Sequence, residues 1–247
     1  MKKLLPLVFF FAIVHGAFTQ TMVLKDNSSW FTFTNKIKLS EKISIGNVTQ
    51  MRRVQFMENT QVFIIKPSII YKLNNFISFG AGYMSYTSYP NGAFHPAIKK
   101  HENRLWQHLT VSSIAGKLKF KNRFIFEERF KDVIDTNVIP AITDGTSYAQ
   151  RFRYRILTSF KIIKLKNQHY LFGKISNELR IRFKKGLSQP TFDQNNFYLY
   201  LGYKLQENSK FWMGYGHDYY KVDSSKFIAT TILHVAMSYD FDLTKKN

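Results

Sequence analysis

Charged and apolar side chains alternate along residues 117–130, and this alternation restricts the folds open to the chain. Six of the seven odd positions from 117 to 129 are charged, whereas Leu118, Phe120, Phe124 and Phe126 lie on the other face. Residues 151–155 repeat the pattern as Arg-Phe-Arg-Tyr-Arg. A period of two is typical of a β-strand with two unlike faces. The charged face cannot line a dry core, so the pattern predicts lipid on one side and a wet or ion-paired space on the other.

The last strand-like stretch, from Phe227 to Leu243, has the same period. Eight of its nine odd positions are apolar, against three of its eight even positions. Tyr239 and Phe241 put aromatic rings on the apolar face almost at the C-terminus. This end resembles the terminal strand by which bacterial outer-membrane barrels are recognised. We therefore expect the strand from Phe227 to Leu243 to contact the barrel-assembly machinery.

The N-terminus has the features of a secretory signal peptide. Lys2 and Lys3 precede an apolar run from Leu4 to Val14, and small residues follow before a cleavage site at Gln20. The run is shorter than the ~20 residues of a spanning helix, which disfavours a membrane anchor. The sequence thus predicts a signal peptide over residues 1–19 and one barrel domain over residues 20–247.

Composition narrows the class of protein further. The chain has no cysteine, so an exported form cannot use disulfides for stability. Its net charge of +20 would suit a nucleic-acid ligand, but export makes nucleic acid a poor partner. A lumen and rims rich in Lys and Arg, facing anionic lipid headgroups, explain the charge better. We expect outer-membrane lipids, including lipopolysaccharide, as partners.

Strand-like segments follow one another from Trp30 to the C-terminus with almost no helical period. Connections at 87–100, 131–147 and 184–193 are long and fall on the same side of the sheet when strands alternate in direction. Because bacterial single-chain barrels have an even number of antiparallel strands, the pattern predicts a single all-β antiparallel transmembrane barrel of 10–12 strands, with twelve favoured. Eleven segments are visible: 30–39, 43–53, 60–73, 76–86, 102–112, 117–130, 151–163, 170–183, 194–205, 211–220 and 227–243.

Short motifs in the middle of the chain occur in a characteristic order. They are Glu-Asn-Arg-Leu-Trp-Gln at 102–107, Glu-Glu-Arg-Phe at 127–130, Arg-Phe-Arg-Tyr-Arg at 151–155, Asn-Glu at 177–178, Phe-Asp-Gln-Asn at 192–195 and Leu-Gly-Tyr at 201–203. From Trp30 onward the chain resembles the family called domain of unknown function 2490, outer-membrane barrels found largely in Bacteroidota. Asn196 departs from the family, which more often has Arg there. The resemblance implies a barrel in the outer membrane of a Gram-negative cell and implies no activity.

Charged residues on four consecutive segments share the faces opposite the apolar residues, so we expect them to meet inside the barrel. One interpretation is an ion-pair network that rigidifies a narrow lumen. The other is a positively charged pathway or binding site for an anion. The residues are Glu102, Arg104, Glu127, Arg129, Arg151, Arg153, Arg155, Glu178, Arg180 and Arg182.

Catalytic and metal motifs are missing from the sequence. No His-x-Ser occurs, and His108 with Ser112, like His234 with Ser238, would lie about 13 Å apart along one strand. Asp240 and Asp242 lie near the C-terminus, where solvated rim charges are usual. No cysteine or paired histidine motif indicates a metal site. We therefore expect no catalytic residue, no metal and no cofactor.

The sequence favours a non-enzymatic protein of the cell outer membrane, either structural or a barrel for small solutes that favours anions. Two alternatives stay open. One is a lipid-modifying or proteolytic barrel whose catalytic residues come from different strands. The other is a soluble secreted β-barrel carrier with a dry core on one strand face.

Overall fold

The computed structural model describes residues 22–55, 57–92, 94–165 and 169–244. The predicted signal peptide, residues 1–19, lies outside the described residues. In the described residues the chain forms one closed all-β barrel of eleven strands. The strands are β1 (Met22–Lys38), β2 (Ile43–Val54), β3 (Asn59–Lys72), β4 (Ile77–Ser88), β5 (Lys100–Ala115), β6 (Leu118–Asp135), β7 (Ile142–Lys164), β8 (Tyr170–Lys184), β9 (Ser188–Lys204), β10 (Ser209–Lys221) and β11 (Lys226–Asp242).

The barrel closes through a parallel pair of strands. Each strand pairs antiparallel with its sequence neighbours, but β1 and β11 run in the same direction, from Met22 beside Lys226 to Lys38 beside Asp242. The prediction of twelve strands in a fully antiparallel barrel is therefore wrong. An even number is required only when every pair is antiparallel, and an odd number closes when the first and last strands are parallel. The eleven segments seen in the sequence correspond to the eleven strands.

The two ends of the barrel differ in how far their hairpins extend. One end carries the turns that follow β1, β3, β5, β7 and β9, together with the C-terminal end of β11. The other end carries the connections that follow β2, β4, β6, β8 and β10, and we call it the hairpin end. The three connections predicted to be long, at 87–100, 131–147 and 184–193, all lie at this end, as expected. Much of their length is strand, because β6 continues to Asp135, β7 begins at Ile142 and β9 begins at Ser188. Of these three connections, the one at 89–99 is a long loop in its described residues, 89–92 and 94–99.

Apolar side chains cover the outside of the barrel. In β11, Leu233 and Met237 face outward and are exposed, whereas Ile232 and Ala236 face inward and are buried. The same alternation leaves a surface of exposed Leu, Ile, Phe, Tyr and Met around the wall, with Leu201 and Ile69 each 55% exposed. No helix in the described ranges is long and apolar enough to cross a membrane.

Two groups of apolar and aromatic side chains fill parts of the interior. One group contains Val62, Ile64, Met84, Trp106 and Ile125 on β3–β6. The other contains Trp30, Tyr198 and Ile232, with Tyr200 packed against it. The aromatic residues of both groups narrow the lumen, so the charged residues between them share a restricted space.

Candidate functional site

The lumen is a cavity of about 630 Å³ lined mainly by polar and charged side chains. Thirteen basic residues line it, against five acidic residues. All ten predicted site residues belong to the barrel interior: nine line the cavity, and Glu127 is fully buried in the wall beside it. The interior is therefore strongly cationic, as the alternation in the sequence predicts.

The strand register sets arginines opposite one another. Four pairs are direct cross-strand partners: Arg104 with Arg129, Arg123 with Arg155, Arg151 with Arg182 and Arg153 with Arg180. Side chains at such positions start only about 5 Å apart, and facing like charges destabilise a sheet. Each pair therefore needs an anion between its members, and carboxylates from neighbouring positions meet that need for three of them.

Glu102 holds the first pair. Its Oε1 and Oε2 accept hydrogen bonds from Nε and Nη2 of Arg104 at 2.7 and 3.1 Å. The same two oxygens accept from Nε and Nη2 of Arg129 at 2.5 and 3.1 Å. Each arginine thus presents two parallel donors to one carboxylate, the strongest geometry available to such a pair.

Glu127 has no exposed surface and lies between two arginines of β7. Arg151 donates from Nε to Oε2 of Glu127 at 2.8 Å, and Arg153 donates from Nη1 to Oε1. Arg153 also contacts Glu178, whose two oxygens accept from its Nη2 at 2.7 and 2.9 Å. Arg180 donates from Nε to the same carboxylate at 2.7 Å. Glu178 therefore holds the facing pair Arg153 and Arg180.

Asp193 supplies the carboxylate for Arg151 and Arg182. Its Oδ2 accepts from Nη1 of Arg151 at 3.0 Å, and its Oδ1 lies 3.8 Å from Nε of Arg182. Asp193 is the extra residue of a bulge, because Arg180 pairs with Gln194 while Ile181 pairs with Phe192. A bulge redirects one side chain, which turns Asp193 inward beside its even-numbered neighbours.

The network continues to β10 through hydrogen bonds. Arg180 donates to Gln194 at 2.6 Å, and Gln194 donates to Oδ2 of Asp218 at 3.0 Å. The Tyr198 hydroxyl donates to the other oxygen of Asp218 at 2.8 Å. Asp193 and Asp218 belong to this network but not to the ten charged residues predicted from the sequence, although Asp193 lies within the Phe-Asp-Gln-Asn motif at 192–195.

Four cations lie on the turn side of this network without a carboxylate. They are Lys66, Arg123, Arg155 and Lys174, and all four line the cavity. Arg155 is therefore the predicted site residue that the structure leaves outside the ion pairs of the described chain. Arg123 donates from Nε to the Thr110 hydroxyl at 2.9 Å. The lysine ammonium groups lie over indole rings, Lys66 at 4.0 Å from the centre of Trp106 and Lys174 at 3.5 Å from the centre of Trp212.

An aromatic cluster forms the wall near the parallel pair of strands. His234 contacts the Tyr200 hydroxyl through Nδ1 and the Thr32 hydroxyl through Nε2, both at 2.8 Å. Arg52 lies 3.6 Å above the centre of the Trp30 ring. These contacts hold His234 in a fixed orientation by hydrogen bonds on both ring nitrogens.

Hydroxyl and imidazole groups meet at two places in the described chain, and both involve threonine. Besides Thr32 and His234 in the lumen, Thr87 contacts Nδ1 of His101 at 3.1 Å near the hairpin end. Thr87 is buried, and Asp132 accepts from the backbone N–H of His101 instead of from its ring. The pair therefore lacks the ring-orienting carboxylate of a nucleophile–base–acid site. Among the described residues, no group of three His, Asp or Glu residues could hold a metal ion.

The loop at 89–99 reaches into the mouth of the lumen at the hairpin end. Phe94, His95 and Pro96 line the cavity, and His95 lies 3.5 Å from the Gln61 amide on β3. Asn91 ties the loop to the same strand by donating to the backbone carbonyl of Thr60 at 2.7 Å. Burial lowers the pKa of His95, so the ring is neutral at pH 7.

Comparison with known proteins gives a family and no activity. A search of the curated proteins finds no match. The model of a family described as a protein of unknown function, DUF2490, matches residues 27–228, which cover the described barrel from β1 into β11. The chain therefore belongs to the DUF2490 family.

Proposed function

We propose that this protein is an outer-membrane β-barrel whose arginine-rich, ion-paired interior lets small anions pass in preference to cations. One observation carries the proposal: a closed barrel exposes apolar side chains around its wall and encloses a buried set of charged side chains, among them Glu102, Arg104, Glu127, Arg151, Arg153 and Glu178. Transmembrane barrels have this arrangement, with an apolar outer band and a polar interior. A soluble barrel carrier has the opposite need, since it buries apolar residues inside.

The charge balance of the lumen supports the anion preference. Thirteen basic residues line the cavity, and they are opposed by five acidic lining residues and by Glu127 buried beside them. The positive groups reach from Lys221 at the hairpin end to Lys174 nearer the turn end. Rings of Arg and Lys are the usual basis of selectivity in anion pores. A second role of the same residues is structural, because the ion pairs join β5 through β9 across the interior.

The proposal includes export, assembly and lipid contact. We propose that a signal peptide over residues 1–19 directs export and that the outward residues of β11 are recognised by the assembly machinery. In the outer membrane, the apolar wall would contact lipid and the hairpin end would face lipopolysaccharide. We propose no catalytic step, since in the described part of the chain neither threonine–histidine contact has a carboxylate to orient its ring.

Cell fractionation and heat modifiability test the location and the fold together. The full chain should appear in the outer-membrane fraction, require detergent for extraction, and migrate faster on a gel before boiling than after it. Extraction by salt or alkali without detergent, with one unchanged gel mobility, would show that the protein is a soluble or peripheral barrel and would overturn the proposal.

A further inference from the structure

The facing arginine pairs of the lumen differ in what lies between their members. Glu102 bridges Arg104 and Arg129, Glu178 bridges Arg153 and Arg180, and Asp193 contacts Arg151 and Arg182. The fourth pair, Arg123 and Arg155, has direct cross-strand register on β6 and β7 and no bridging carboxylate among the described residues. One position in a repeated arrangement therefore has the cations and lacks the anion.

Neighbouring carboxylates are already engaged elsewhere. Glu178 is the cross-strand partner of Arg155 on β8, but both of its oxygens accept hydrogen bonds from Arg153 and one also accepts from Arg180. Glu127 lies four residues from Arg123 on the same face, with Ile125 between them, and accepts hydrogen bonds from Arg151 and Arg153. The ion pairs of the network thus leave Arg123 and Arg155 without an ion pair to a carboxylate of the described chain; Glu178 acts on both only through space.

Further groups lie within electrostatic range of this pair, Lys66 near Arg123 and Lys174 near Arg155. The Thr110 hydroxyl accepts from Nε of Arg123 and so holds that guanidinium in place, and the terminal nitrogens of Arg123 make no hydrogen bond to a described residue. Lys66 and Lys174 line the same cavity, and each is held over an indole ring. His108 is buried within electrostatic range of Arg123, Lys66 and Arg155, and neither of its ring nitrogens has a hydrogen-bond partner among the described residues.

We propose that Arg123 and Arg155, with Lys66 and Lys174, form a binding site for a phosphate-type oxyanion in the lumen. Two guanidinium groups across a strand pair offer forked donors that match the oxygens of phosphate. Several cations around one position favour an anion of more than one charge, which distinguishes phosphate from chloride. The bound phosphate belongs to inorganic phosphate or to a small phosphorylated molecule. The site rests on the proposed function only in requiring that solutes reach the lumen.

Binding of phosphate to the detergent-folded full chain tests the site. Isothermal titration calorimetry with inorganic phosphate should show saturable binding to one site per chain, and sodium chloride at equal ionic strength should not reproduce it. Arg155→Gln should weaken the affinity at least tenfold. The matched control is Lys221→Gln, which removes one positive charge from the mouth of the same cavity and should change the affinity less than twofold.

Each outcome decides the proposal. A parallel titration with glycerol 3-phosphate separates the two sources, and tighter binding of either phosphate compound supports the site. No saturable binding, or equal losses in Arg155→Gln and Lys221→Gln, would overturn it. Heat modifiability of the same samples shows whether each variant is folded as a barrel, so a failed phosphate site is distinguished from a failed barrel proposal.

Discussion

Glu127 and Glu128 are adjacent on β6, yet their carboxylates lie on opposite faces of the barrel wall. Glu127 is fully buried among interior arginines, whereas Glu128 faces outward and accepts a hydrogen bond from the Tyr148 hydroxyl at 2.9 Å. Mutation of Glu127 therefore tests the stability of the buried network, and the same mutation of Glu128 is its matched control on the outer face.

We expect Glu127→Ala to lower the free energy of unfolding by about 3 kcal/mol, because removing one partner of a buried ion pair leaves the other charges uncompensated. Glu128→Ala loses one partly exposed hydrogen bond and should cost about 1 kcal/mol or less. Urea denaturation of the folded protein in detergent, followed by tryptophan fluorescence, measures both. Equal losses in the two variants would show that the buried network does not stabilise the barrel.

Outward Leu199 on β9 tests whether the wall faces lipid. It is 49% exposed and lies between Ile175 and Tyr215 on the neighbouring strands. In a membrane-spanning barrel, Leu199→Arg should reduce the free energy of folding into lipid vesicles by about 2–4 kcal/mol. Leu205→Arg, at the turn after β9, should cost at most about 1 kcal/mol, because charges near the interface are tolerated.

The alternative of a soluble carrier makes the opposite prediction for the same pair. In water, replacing an exposed leucine by arginine changes stability by about 0.5 kcal/mol or less, whichever position it occupies. Equal free energies of folding into vesicles for Leu199→Arg and Leu205→Arg would therefore contradict a lipid-facing wall.

The parallel closure is open to a chemical test, since the chain has no native cysteine. Phe31 of β1 and Val235 of β11 are register partners. Strands pair about 4.8 Å apart, within the range that a disulfide spans, so the double variant Phe31→Cys with Val235→Cys should cross-link under mild oxidation. Cross-linking is detected by a gel mobility shift that a reducing agent reverses.

A displaced pair controls for this result. Asn27 lies four residues from Phe31 on the same strand, about 13 Å away, so Asn27→Cys with Val235→Cys should stay reduced. A twelfth strand between β1 and β11, or an antiparallel closure, would abolish the link between positions 31 and 235. Cross-linking of the displaced pair in its place would show a different register.

Acidification should loosen the loop at 89–99. Because burial places the pKa of His95 below its ordinary value of 6.5, the seated loop binds fewer protons than the released loop. The contribution of His95 to holding the loop in the lumen mouth is complete above pH 6.5 and weakens as the pH falls below 6.5. The nearby Asp26 favours the protonated ring and therefore opposes this trend. Tryptic cleavage after Lys99 should therefore be faster at about pH 5.5 than at about pH 7.5.

The variant His95→Gln removes the titration while keeping a polar side chain beside Gln61. The ratio of wild-type to variant cleavage rates cancels the pH dependence of the protease itself. We expect this ratio to rise on acidification. A ratio that is constant over the same interval would show that His95 does not control the seating of the loop.

The strands are predictable from the sequence because the period of two is strong where one face is apolar and the other charged. The pattern in residues 151–155 assigns the inward arginines without knowledge of any neighbour. It does not report strand direction, since a strand alternates equally in parallel and antiparallel pairs. The parallel closure therefore stays invisible in the sequence, and the even-strand rule leads to an incorrect preference for twelve.

Residues that break the alternation are the ones the sequence does not reveal. Asp193 has the wrong parity for the interior and enters it only through the bulge opposite Arg180. Lys66 lies among apolar residues on β3, where the inward face carries Val62 and Ile64. Its contact with Trp106 joins two strands that both neighbour β4, past Gly82, which the period of one strand cannot report.

The reversal potential of the purified protein in a planar bilayer under a potassium chloride gradient tests the central claim most directly. It requires both that the barrel spans the membrane and that its interior prefers anions. We expect stepwise conductance and a reversal potential that has the sign of the chloride equilibrium potential. A reversal potential that has the sign of the potassium equilibrium potential would contradict an anion-favouring outer-membrane barrel. The absence of conductance from protein that is heat-modifiable and inserted would contradict it as well.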